Sequence, residues 1–566
     1  MQIAGRYAVW SDGGGGEVAY WGLKLTAEEA GVVVNMTSTT SLTPTLEYST
    51  NGTTWTTFDV SGGTTPVTLA NVGDYVYFRA GASGNTALCG GSGERKFTVS
   101  GDVSASGNIM SLLDAEDETN VTLSAAYTFA YLFRGCAHLI DASNLTLPAT
   151  TLANNCYAYL FAGTGIDSSP ALPALRVYSN SYTHMFDGCA SLATAPTLPA
   201  TTIDGDCYSY MFQDCTSLVT APALPSTQGV WESYGYMFAG CTSLVNPPPA
   251  LAATDLGGFD YRYMFYNCVS LTSAPTIAAT FAQGSSFRSM FEGCTSLVTA
   301  PTIHVTAAAT NNYMTRMFYG CTSLTSAPDL SQCPTGWESH ESMFNGCTSL
   351  TAAPNLPATT GYGCFQDMFR GCTSLRTLGT IPATTLDTNC YCRMFYGCTS
   401  LTDLSGLVLP ATTLANNCYD QMFEECRGLT VAPALPATTL ATACYNRMFF
   451  YCSNLTTGPS ILPATTLANN CYARMFQNCH ALTTAPELPA TTLVDNSYNC
   501  MFASAWNLHE LHVNFSAWSP ASATDYWVYN MPGTGTFRCP TALGTDATMP
   551  KDYSHCPTGW TVVNTD

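Results

Sequence analysis

Asn469-Asn-Cys-Tyr-Ala-Arg-Met-Phe-Gln-Asn-Cys-His-Ala-Leu-Thr-Thr-Ala-Pro-Glu-Leu-Pro489 is one copy of a sentence that this chain writes fifteen times. Its anchor phenylalanines are Phe133, Phe161, Phe186, Phe212, Phe238, Phe265, Phe291, Phe318, Phe344, Phe369, Phe395, Phe423, Phe449, Phe476 and Phe502, spaced 25–28 residues apart. A fixed period in the twenties marks a solenoid, in which each unit buries its apolar face only against its neighbours. Cys471, Tyr472, Met475 and Phe476 fall at helical spacing, so the segment reads as a short amphipathic helix. Asn469 and Asn470 are suited to cap its start. Two residues after the anchor the slot is Asn478, or glycine from Gly135 to Gly397, which fits a left-handed C-cap. Leu482-Thr-Thr-Ala-Pro486 reads as a very short parallel strand that proline ends.

The Cys-Tyr-x-x-Met-Phe-x-x-Cys-x-x-Leu-x-x-Ala-Pro-x-Leu-Pro frame resembles the BspA-like leucine-rich repeats of bacterial surface proteins. Their pattern is I-G-x-x-A-F-x-x-C-x-x-L-x-x-I-x-I-P. The likeness covers roughly residues 120–515. It departs in using Met-Phe for Ala-Phe, in a longer period, and in the proline of the strand segment. The resemblance implies an α/β solenoid of about fifteen leucine-rich repeats serving adhesion and recognition, in surface proteins or phage structural proteins. It brings no catalytic residues.

Four parts are expected along the chain. Residues 1–18, Gly-rich at Gly13–Gly16, form an arm or docking segment. Residues 19–110 form a small Ig-like β-sandwich. There, Leu46–Trp55 reads as a hairpin turning at Asn51-Gly52 and Tyr75–Arg79 as a half-buried strand. The solenoid takes 111–515, and the aromatic-rich 516–566 caps its open end.

Charged residues make up 10% of the chain, against roughly 25% in a typical soluble protein. The 46% hydrophobic content is strictly patterned, which argues against disorder. Net charge is −21, with lysine only at positions 24, 96 and 551. No basic stripe exists for a phosphate backbone, so nucleic acid is excluded as a partner. No apolar run reaches about 18 residues, so membrane insertion is not expected.

Thirteen of the 26 cysteines sit three after the anchor and seven sit five before it. Ser, Thr or Ala replaces them in other units, so these slots want a small residue. Equivalent side chains in stacked coils run parallel about 4.8 Å apart, a poor disulfide geometry. Zinc spacing is absent. Buried free thiols are expected, as in a chain that folds in a reducing compartment. Cys333, Cys500, Cys539 and Cys556 lie off the columns and are the better disulfide candidates. His509-Glu-Leu-His512 reads as a solvated turn rather than a metal site. No cofactor and no enzyme motif is found.

Three surface columns can carry recognition. One is the pair after the repeat leucine, such as Ala193-Thr194 and Val219-Thr220, of which one member should face out. The second lies two before the anchor. It is aromatic at Tyr131, Tyr159, Tyr210, Tyr236 and Tyr263, and basic at Arg316, Arg393, Arg447 and Arg474. The third follows the anchor and includes Tyr266, Tyr319 and Tyr396. Tyrosine rows are adaptable binding surfaces and stack on sugar rings. The N-terminal residues lack the basic-then-apolar pattern of a secretory signal. With the reduced-type cysteines, this points to a virion fibre or decoration protein. Its partners would be a host-surface glycan or protein receptor and, through the N-terminal domain, other virion proteins. A bacterial cell-surface adhesin is the alternative, and homo-oligomerisation is left open.

Overall fold

The computed structural model describes residues 20–40, 42–60, 66–91, 93–308 and 311–565. The arm expected over 1–18 lies outside them. The chain divides into two units, Met1–Ala252 and Ala253–Asp566.

The first unit opens with two sheets. Their strands are β1 (Lys24–Ala27), β2 (Val32–Ser38), β3 (Leu46–Ser49), β4 (Thr56–Phe58), β5 (Val67–Leu69), β6 (Tyr75–Ala80), β7 (Arg95–Val99), β8 (Val103–Asn108) and β9 (Leu139–Thr146). One sheet runs β4-β3-β6-β1-β8-β9 and the other β5-β2-β7. A hairpin does turn over Asn51-Gly52, but its return strand is Thr56–Phe58 and not within the expected Leu46–Trp55, with Leu46 opposite Phe58. Alternation along β2 turns Val32, Val34 and Met36 inward. The sheets meet through Phe78 of β6 and Phe97 of β7, whose rings lie 4.8 Å apart.

The sheets lead directly into the repeats. β8 pairs in parallel with β9, which belongs to the first coil. Phe97 stacks on anchor Phe133 at 5.5 Å, and the Cys136 thiol donates to the Phe97 carbonyl. β7 thus takes the place that a preceding coil would occupy and closes the start of the array.

The coils stack as the period requires. In the first unit the anchors Phe133 to Phe238 lie 5.5–5.7 Å apart and within 6° of parallel. In the second unit the anchors Phe265 to Phe502 lie 5.4–5.8 Å apart. A second buried ladder lies four residues before the anchor. It includes Tyr157, Tyr182 and Tyr208 in one unit and Tyr391, Tyr419 and Tyr445 in the other.

The expected two-turn helix is not formed. No α-helix occurs among the described residues. Instead, three slots per coil adopt the left-handed conformation: six before, two before and two after the anchor. In one coil these are Asn155 (φ 59°), Tyr159 (φ 58°) and Gly163 (φ 70°). A left-handed residue at every fourth position breaks any helix, and the amides then divide between two sets of partners. Asn155, Tyr157, Tyr159, Phe161 and Gly163 donate to the next coil at 2.7–3.1 Å. The intervening Ala158, Leu160, Ala162 and Thr164 donate three residues back within their own coil. Every amide is satisfied, as burial demands. Each left-handed non-glycine residue costs about 1 kcal/mol. Five hydrogen bonds to the next coil, worth about 1 kcal/mol each, offset that cost.

The thiols have a role beyond being small. Twelve cysteines three after the anchor, from Cys136 to Cys479, donate to the carbonyl of the phenylalanine one step earlier in the stack. Cys189 reaches Phe161 at 3.0 Å and Cys398 reaches Phe369 at 3.1 Å. Thr164 replaces a cysteine and donates to Phe161 by its hydroxyl. Burial pushes the Cys136 and Cys372 thiols up to about 12. None of the 26 cysteines, all among the described residues, is in a disulfide, the expected candidates Cys333, Cys500, Cys539 and Cys556 included.

The repeat does not stop at residue 515. Tyr498, Cys500, Phe502 and Ser504 donate to Ala523, Asp525, Trp527 and Tyr529 in the same alternating register. This is a sixteenth coil, with Trp527-Val528 in place of Met-Phe. Parallel strands Glu510–His512, Thr536–Cys539 and Thr561–Asn564 continue beside it. The C-terminal cap is the solenoid itself, filled by Trp527 and Trp560, both almost fully buried.

Candidate functional site

The slot two before the anchor is half-buried in nearly every coil, as its switch from aromatic to basic residues required. Its left-handed backbone directs the side chain along the outer face of the turn stack, against its equivalent one coil away.

In the first unit these side chains form a continuous ring stack. Tyr131 and Tyr159 lie 5.2 Å apart, Tyr159 and His184 4.4 Å, His184 and Tyr210 4.4 Å, and Tyr210 and Tyr236 4.6 Å. The Arg134 guanidinium lies 5.0 Å from the Tyr159 ring centre, and the His184 Nδ1 is 2.8 Å from Asp187. The inner rings therefore have both faces covered. They offer edges and hydroxyls to a ligand, not the open ring faces that sugar stacking needs.

In the second unit the same slot holds ion pairs. Arg316 grips Glu292 through two bonds of 2.7 and 3.1 Å. Arg393 grips Asp367 at 2.9 and 3.0 Å, and Arg447 reaches Glu424 at 2.7 Å. The three carboxylates are nearly buried, Glu424 at 3% side-chain exposure. Burial pushes Glu424 up to about 7, against the opposing pull of Arg447. These arginines tie one coil to the next. Arg474 is exposed. Tyr263 meets Tyr266 edge-on at 5.5 Å. Tyr319 covers the Arg316 guanidinium at 4.2 Å, and Tyr396 bonds Glu425 and lies 4.7 Å from Arg370.

The ribbon after the repeat leucine is a series of single bridges, Ser168 to Thr194 to Thr220 to Asn246 in the first unit. Both members of each pair from Ala193 to Asn246 face solvent, where one was expected. A strand of one paired residue is too short to alternate inside and outside. Beside the ribbon lies an open groove of about 670 Å³ between Ala193–Pro199 and Val219–Pro225.

His509 and His512 do not form a cluster with Glu510. His509 donates to the Thr534 carbonyl and Glu510 pairs with Arg538. Among the described residues, Glu29, Asp102 and His138 bring ligand-type atoms within 4.8 Å of one another. They lie at the surface and bond each other, His138 to Asp102 at 2.8 Å and the Asp102 amide to Glu29 at 3.0 Å.

Sequence reading placed Tyr526 and Tyr529 among the aromatics of the cap, as a candidate contact tip, and missed Trp506 and Tyr553 beside them. Trp506, Tyr526, Tyr529 and Tyr553 are each 44–51% exposed, close together at the C-terminal end of the array. A signal existed for the first. Trp506 stands four after the anchor, in a slot that is threonine in seven coils.

These features define a repeat scaffold, with an invariant stacked interior and a variable outer face. Such solenoids are typically binding scaffolds rather than enzymes. The family model described as BspA type leucine rich repeat region matches in six copies, over residues 236–351, 261–402 and 366–509. Residues 236–509 of this chain are BspA-type leucine-rich repeats, of a kind generally associated with surfaces. A crystal structure of a leucine-rich repeat protein from Bacteroides ovatus ATCC 8483 shares 18% identity, covering 69% of this chain and 91% of its own, with a TM-score of 0.38. The TLR13–ssRNA13 complex structure shares 14% identity over 68% of this chain and 50% of its own, with a TM-score of 0.21. Likeness at this level carries no argument about partners. No curated protein matches the chain. No helix among the described residues is long and apolar enough to cross a membrane.

Proposed function

We propose that the protein is a non-enzymatic recognition scaffold displayed on a virion, as a fibre or decoration protein, which reads a host-surface glycan or protein receptor through its outer slots. The observation that carries recognition is the division of each coil. The anchor, its cysteine and the repeat leucine barely change, while the slots two before, one after and four after the anchor vary. Variety on the outer face over so constant a frame is what a recognition surface requires.

The thiol column favours assembly in a reducing compartment, as for a virion built in a host cytoplasm. Twelve thiols of the column donate a hydrogen bond, which oxidation would remove. The alternative, a bacterial cell-surface adhesin, must keep the same thiols reduced outside the cell.

Mass spectrometry of purified virions and of outer-membrane fractions from uninfected cells separates the two. Detection in virions supports the proposal, and detection only in uninfected membranes overturns the virion setting. Saturable binding of the labelled full chain to intact bacterial cells tests recognition in either setting.

A further inference from the structure

The C-terminal coils carry four exposed aromatic rings, whereas Trp231, Trp337, Tyr362 and Tyr451 are exposed in ones or twos along earlier coils. Trp527 and Trp560 fill the core here and spend their indole N–H groups on the His555 and Pro532 carbonyls. Trp506 is instead 50% exposed, Tyr529 51%, Tyr553 50% and Tyr526 44%. They lie on adjacent coils. The Ser504 amide donates to the Tyr529 carbonyl, and the Asn530 side chain donates to Ser504 at 3.2 Å. Each ring is held from behind or beside. His480 lies parallel to Trp506 at 3.8 Å, Tyr526 lies against Tyr553 at 4.6 Å, and Tyr529 meets Tyr526 edge-on at 5.9 Å. Rings braced in this way lose little freedom when a ligand packs on them.

The polar surroundings define the ligand. Asp525 and Asp552 flank the rings, each accepts from Ser554, and Asp552 is also paired with His555 at 2.8 Å. The cations of the neighbouring strands are already engaged, Arg538 by Glu510 and Lys551 by Asp546. The patch therefore offers ring faces and hydrogen-bond acceptors with a negative bias. We infer that it is a binding platform for a neutral saccharide, whose C–H faces pack on Trp506 and the tyrosines while its hydroxyls donate to Asp525. An anionic polysaccharide would be repelled.

Size argues the same way. Four half-exposed aromatic side chains present roughly 300–500 Å², from about 150–250 Å² for each whole side chain. A stable protein interface needs about 800 Å² per partner. A second copy would also bring Asp525 and Asp552 against their like in a chain of net charge −21. A few sugar rings fit this area without either penalty.

This inference rests on the recognition reading and narrows it. The test uses the full chain on arrays of neutral glucose, mannose and galactose oligosaccharides beside uronic-acid polymers. The platform predicts binding to a neutral oligosaccharide. Trp506→Ala should weaken it at least tenfold, Tyr553→Ala should weaken it less, and Trp506→Phe should keep most of it. Thermal unfolding and sedimentation of each variant establish that fold and oligomeric state are unchanged. Binding only to uronates, or binding unaffected by Trp506→Ala and Tyr553→Ala, overturns the platform. So does loss of a dimer in Trp506→Ala, which would make the patch a self-association surface. If the chain binds intact cells but no saccharide, the platform fails and the recognition reading stands. If it binds neither, both fail.

Discussion

The same slot, two before the anchor phenylalanine, is solved in two ways along this chain. Between Tyr131 and Tyr236 it is a stack of five rings, and between Arg316 and Arg447 it holds arginines gripping nearly buried carboxylates. The backbone is left-handed throughout, φ 54–67° at these positions, and the surface is half covered. What the slot needs is therefore contact from coil to coil, and either stacked rings or paired charges supply it. Most of the residues that looked ligand-facing are engaged with the array itself. Four exposed aromatic side chains lie at Trp506 and its neighbours near the end of the stack, beside the more scattered Trp231, Trp337 and Tyr362 of earlier coils.

The largest effect should come from breaking the charged solution. Arg447→Ala leaves Glu424 buried without its partner and should cost about 3–5 kcal/mol, read by chemical denaturation. Adding Glu424→Gln to that variant should recover much of the loss. If Arg447→Ala alone is neutral, the pair does not tie the coils.

Breaking the aromatic solution should cost less. His184→Ala removes two ring contacts, each worth about 0.5–1.5 kcal/mol, so about 1–3 kcal/mol is expected. His184→Tyr should restore most of it, because a neighbouring ring is all the stack asks for. Within the core, Cys398→Ala forfeits one hydrogen bond, about 1 kcal/mol, while Cys398→Ser keeps a donor and should cost less. Equal losses for Ala and Ser would reduce the thiol to a space-filler.

A further effect is one of pH. Burial holds the Glu424 carboxyl at about 7 in the folded chain, above its ordinary 4.5, with Arg447 opposing and Asp420 and Glu425 adding to the rise. The folded state therefore binds more protons than the unfolded chain between these values. By linkage, this group's contribution to stability is full below about pH 4.5 and is lost as pH rises through about 7. The thermal midpoint should fall across that window, and Glu424→Gln should flatten the slope.

Much of this was legible in the sequence. Anchor spacing gave the coil, the columns and the stacking partners, because a solenoid converts period directly into contact. The helix was misread because Cys471, Tyr472, Met475 and Phe476 are spaced as on a helix face. The contrary signal lay in their neighbours. Asn470 and Asn478, eight residues apart and matched by Asn155 and Gly163, are residues that tolerate left-handed backbone at both ends of the run. Arg393 read as ligand-facing because nothing in a single repeat shows that Asp367 waits one coil away. The sixteenth coil kept the period, 26 residues from Phe502 to Val528, but lost the Met-Phe letters that identified the others.

The central claim is that constant letters build the stack while exposed, varying letters bind. It is tested most directly by saturable binding of the labelled full chain to intact bacterial cells, beside a variant carrying serine at Trp506, Tyr526, Tyr529 and Tyr553. The account predicts saturable binding by the native chain, and its loss in the variant at an unchanged unfolding temperature. Native protein that binds no cells, or a folded variant that binds as well as the native chain, would contradict it.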